Sequence, residues 1–98
     1  MAPVFKTFEF DTGTIDEDIE EGKTNPNEIR GHIGRVIDNL VRGKCEALKG
    51  SDTANGYPES ILVGGKDKEQ IQGAYKDAIR GTPLGDYTLP GKGKTYTK

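Results

Sequence analysis

The chain has no tryptophan, and only one cysteine, one histidine and one methionine among its 98 residues. A lone Cys45 excludes an internal disulfide and a cysteine metal cluster. His32 and Cys45 fall far apart on different faces of one predicted helix. They form neither a nucleophile–base pair nor a shared metal site within that helix. No stretch approaches the roughly 20 apolar residues of a membrane-spanning helix, and the start lacks the apolar run of a secretory leader. No membrane partner is expected, and a cytoplasmic location fits the unpaired thiol. Apolar residues are scarce too, at 32% against 31% charged. A domain this size buries a modest core, so stability is expected to lean on oligomerisation or partners. The net charge of −2 gives no global attraction to nucleic acid or membrane.

What the chain does have is one well-signalled helix. Asn25 is an N-cap residue, Pro26 at N1 sacrifices no hydrogen bond, and Glu28 suits N3 and the positive end of the dipole. Ile29, Ile33, Val36, Ile37, Leu40, Val41, Ala47 and Leu48 then recur on one face of a 3.6-residue period, predicting a helix to about Lys49 stopped by Gly50. Gly31, Gly34 and Gly43 each cost roughly 1 kcal/mol in a helix interior, and Gly43 can also end or kink the helix.

Around it the spacing predicts a strand over 4–10, an acidic connection over 11–24 with a turn near 15–19, and a loop over 51–58. A strand follows over 60–63, then a helix capped by Asp67 with Gln70 completing a capping box. Ile71, Ala74, Tyr75, Ala78 and Ile79 form its apolar stripe, and Gly81 and Pro83 stop it. Asp86 to Leu89 offers a last short strand, and residues 90–98 read as a flexible Gly/Lys-rich tail. The predicted class is α+β. One domain over 1–89 has two amphipathic helices packed on a short two- or three-stranded sheet.

Charge is unevenly spread. Asp16, Glu17, Asp18, Glu20 and Glu21 crowd one segment, while Lys92, Lys94 and Lys98 share a C-terminal end without an acid. The acidic run lacks the alternating ligands and central glycine of an EF-hand loop, so no metal site is assigned; it reads first as a solvated acidic connection, and docking to a basic partner patch is the functional reading beside that. Arg35, Arg42 and Lys49 recur every seven residues opposite the apolar stripe, the pattern of a phosphate-contacting face, although Asp38 and Glu46 are interleaved. Gly64-Gly65-Lys66-Asp67 precedes a helix N-terminus, where anions bind, but lacks P-loop spacing. No cofactor is implied.

Phe10-Asp11-Thr12-Gly13-Thr14 resembles the Asp-Thr/Ser-Gly signature of aspartic proteases, and Ile61-Leu62-Val63-Gly64 is similar to a later strand of retroviral protease subunits. The resemblance implies an almost all-β homodimer in which two Asp11 carboxylates share a proton and activate water. A capped helix stands where that subunit needs β-structure, so Asp11 is read here as a turn residue. The expectation is therefore a small non-enzymatic interaction or assembly protein with a protein partner or a second copy. Its contact elements are a strand edge, the acidic segment and the tail. A nucleic-acid-binding or regulatory module is the alternative, and a retropepsin-like protease comes third.

Overall fold

The computed structural model describes residues 3–89 and 95–97. The elements run β1 Val4–Glu9, α1 Thr12–Glu20, α2 Pro26–Arg42, β2 Glu46–Lys49, β3 Ser60–Gly65, α3 Lys68–Ile79, α4 Leu84–Tyr87 and β4 Thr95–Thr97. The α+β architecture is as predicted. The strands form one antiparallel sheet in the order β2-β3-β1-β4. Each helical excursion returns to a strand two places away, leaving a gap that another strand fills, which is the split βαβ arrangement.

The core lies between the sheet and its helices. Ile29, Ile33, Val36 and Leu40 line the inner face of α2, and Ile71, Tyr75 and Ala78 that of α3. They meet Phe8, Ile61 and Val63 from the sheet. The Phe8 and Tyr75 rings stack with centroids 3.9 Å apart and planes 5° from parallel. Fully burying one such side chain is worth roughly 1.5–3 kcal/mol.

Both predicted caps are present. Asn25 accepts from the Glu28 N–H at 2.9 Å and Asp67 from the Gln70 N–H at 2.8 Å. Four other expectations need correction. First, α2 ends at Arg42, and Glu46–Lys49 is a strand. Lys44 adopts φ 67°, its N–H donates to the Val41 carbonyl, and the Cys45 N–H reaches back to the Leu40 carbonyl. That is a Schellman stop, with buried Cys45 and Leu40 as its apolar contact. Its left-handed residue is a lysine, one place after the glycine that sequence offered. Val41 and Leu48, read as inward, are therefore 57% and 64% exposed.

Second, most of the acidic connection is helical. Ile15 and Ile19 face the core one turn apart, and tertiary contacts hold the helix against its own composition. Third, Asp86 and Tyr87 belong to the single turn α4, and the expected strand shrinks to a bridge between Thr88 and Phe10. Fourth, within the segment read as a flexible tail, Thr95–Thr97 pairs with Val4–Lys6.

Candidate functional site

Asp11 is committed to structure. As N-cap of α1 it accepts from the Thr14 N–H at 3.2 Å and the Thr14 hydroxyl at 2.8 Å. The helix that follows replaces the strand an aspartic protease builds there, so the all-β scaffold implied by that resemblance is not present.

The acidic segment divides by helix face. Asp16 accepts from the Tyr57 hydroxyl and the Asn55 amide, both at 2.7 Å, and Asp18 accepts from the Tyr87 hydroxyl. These bonds fasten α1 to the loop over 51–58 and to α4. Burial, and next the bond to Asp16, pushes the Tyr57 hydroxyl above a tyrosine's ordinary range. The bond to Asp18, and next burial, pushes Tyr87 up to about 12. Glu17, Glu20 and Glu21 are exposed instead, with Glu21 3.7 Å from Lys23. They stand at the C-terminal end of α1, where the helix dipole disfavours negative charge.

The basic stripe does not survive as three residues. Arg35 and Arg42 are exposed on α2, beside Gly31, Gly34, Asp38 and Asn39 in a shallow cleft of about 610 Å³. Lys49 has moved to β2. Lys92, Lys94 and Lys98 lie outside the described residues. The Gly64-Gly65-Lys66 turn is occupied from within. Asp67 fills the helix N-terminus, and the Lys66 N–H donates to Gln70 Oε1 at 2.7 Å. His32 is half-buried on α2, and burial raises the Cys45 thiol above its ordinary pKa. Among the described residues no three His, Cys, Asp or Glu side chains gather as a metal site, and no helix is long and apolar enough to cross a membrane.

Sequence reasoning missed the face of the sheet that the helices leave uncovered. Side chains alternate along a strand. With Phe8 paired to Ile61 on the helix side, Thr7 paired to Leu62 and Phe5 paired to Gly64 must turn outward. On β2, Leu48 opposite Leu62 and Glu46 opposite Gly64 turn outward with them. The Phe5 ring lies on Gly64, where an added Cβ would overlap it. A cleft of about 510 Å³ at one end of this face is lined by Phe5, Lys44, Glu46 and Lys66 among others. A second, of about 360 Å³ at the other end, is lined by Thr7, Glu9, Glu59 and Ser60 among others. The one available signal was the alternation of β1, which the mistaken helical reading of 46–49 left without a partner.

No family model matches the chain, and neither the curated proteins nor the solved structures give a significant match to it. The split βαβ topology alone assigns no activity.

Proposed function

We propose that this chain is a non-enzymatic interaction module that builds assemblies with protein partners inside the cell. The observation that carries the reading is the uncovered sheet face, where Leu48 stands 64% exposed beside half-buried Leu62 and Phe5. A single large apolar residue at the surface is ordinary, but a set shared by three neighbouring strands is a docking patch in miniature. The short β2 edge adjoins it. Exposed Glu17, Glu20 and Glu21, placed against the dipole of their own helix, suit a basic partner. Lys92, Lys94 and Lys98 join the proposal on charge alone.

The test is a photo-crosslinking residue at position 48, and another at position 20, in the cells that make the protein. The expected result is a discrete adduct to protein from position 48, identified by mass spectrometry and lost when Leu62 is changed to Lys. No protein adduct from either position would overturn the reading. Adducts to nucleic acid alone would replace it with a nucleic-acid-binding module.

A further inference from the structure

The uncovered face is electrically polarised along its strands. Exposed Lys44 and Lys66 flank one end, with Glu46 between them, for a net charge of +1 among the described residues. Exposed Glu9 and Glu59 mark the other end, for a net charge of −2 among the described residues. Between the ends lie Leu48, Leu62 and Thr7 in one cross-strand row, with Phe5 over Gly64 in the next. A two-fold axis through the apolar middle turns such a surface into its own complement. The lysine end of one copy meets the glutamate end of the other, twice, and Leu48 and Leu62 of both copies meet near the axis.

We propose that the occupant of this face is a second copy of the chain, docked sheet to sheet with the strands of the two copies antiparallel. This rests on the reading of the chain as an interaction module and names its partner. Two-fold closure is the commonest symmetry of oligomers, and it requires residue i to meet j while j meets i. The lysine and glutamate ends meet that requirement, and a uniformly charged face would not. Stacked sheets sit about 10 Å apart, close enough for the outward side chains of both copies to interdigitate.

The face sets the strength of the dimer. Strands about 4.8 Å apart rising about 3.3 Å per residue give the three longer strands a footprint of roughly 15 by 20 Å. That is well under the roughly 800 Å² each partner buries in a standard interface. The dimer is therefore of the weak, transient class, to be sought from ~10 µM to 1 mM protein, and it weakens as salt shortens the Debye length from about 10 Å at 0.1 M.

Sedimentation velocity across that concentration range, at low and high salt, tests the proposal in the full-length chain. The wild type is expected to shift from monomer towards dimer with concentration, less so at high salt. Leu48→Asp should remain monomeric with an unchanged far-ultraviolet spectrum. A Lys44→Glu, Lys66→Glu variant and a Glu9→Lys, Glu59→Lys variant should each be monomeric alone. Mixed in equal amounts they should form a heterodimer at least tenfold tighter than either forms with itself. A wild type that stays monomeric to 1 mM would overturn the proposal. So would a wild-type dimer unaffected by these substitutions, which would lie on another face. If position 48 crosslinks to a different protein while the chain stays monomeric, the interaction reading stands and the second copy is excluded.

Discussion

Along β1, Val4, Lys6 and Phe8 turn towards the helices, and Phe5, Thr7 and Glu9 turn away. On the covered side Phe8 stacks on Tyr75 and joins a continuous apolar cluster, while Lys6 keeps its ammonium 5.0 Å above the Phe8 ring at the rim. On the other side none of the four helices packs over the outward residues of β1, β2 and β3, and charged residues stand at the two ends. The two sides share a backbone and a register, yet burial makes one the source of stability, and the other is the side proposed above as the contact surface. Substitutions that separate stability from association should therefore fall on opposite sides of the same strands.

The largest contrast is between two leucines. Leu40→Ala should cost about 2–4 kcal/mol, because a fully buried side chain is lost and a cavity remains. Leu48→Ala should change stability by less than about 0.5 kcal/mol, measured by urea denaturation at a concentration too dilute for association. Equal losses would break the distinction between the sides.

Next comes alkaline pH. Burial pushes the Tyr75 hydroxyl up to about 12, against the opposing effect of its bond to Thr88. An unfolded tyrosine loses its proton near 10, so between roughly pH 10 and 12 the unfolded chain binds fewer protons than the folded one, and stability falls as pH rises. The loss from this residue is on the order of 2–3 kcal/mol across that window and absent below it. Tyr87, also raised to about 12, adds to the same slope. Urea melts of Tyr75→Phe should show a shallower alkaline decline than those of the wild type.

On the uncovered side, Gly64→Ala should cost about 1 kcal/mol. The added methyl displaces the Phe5 ring, which can swing towards solvent instead of straining a closed core. An unchanged thermal melt would show that the ring does not rest on Gly64. At the corner joining the two sides, Lys44→Gly should stabilise the fold by roughly 0.5–1 kcal/mol, since an L-residue at φ 67° is disfavoured. The smallest effect belongs to Asp11→Asn. Asn caps about as well as Asp, so the melt should move by a few tenths of a kcal/mol. A peptide-cleavage activity abolished by that change would revive the protease reading.

What sequence revealed follows where local chemistry was decisive. The α2 and α3 starts were legible because Asn25 and Asp67 satisfy first-turn donors from their own side chains. β1 and β3 were legible as apolar runs ended by turn residues. α1 was hidden, since its acids sit at the wrong end of the dipole and its support comes from Tyr57, Asn55 and Tyr87, far away in sequence. β2 was hidden because Glu46, Ala47, Leu48 and Lys49 also fit a helical period, and only the turn at Lys44 separates the readings. Of the candidate contact residues, Glu17, Glu20 and Glu21 were placed outward as charge suggested. Asp16 and Asp18 were turned to structural use by hydroxyl donors that no local pattern announces. Leu62 and Phe5 could be assigned a side only once the register of β1 against β3 was known.

The strand order also bears on how a growing chain acquires this shape. β1 leaves the ribosome well before its neighbour β3, which begins about 50 residues later, yet β1 sits inside the sheet. At ~5–20 residues per second the first strand waits roughly 3–10 s before that neighbour has been made. Throughout that interval Phe8 and Phe10 lack Ile61 and Val63, their core partners from β3. The apolar cluster that joins Phe8 and Phe10 to Ile61 and Val63 therefore closes late, when β3 pairs beside β1.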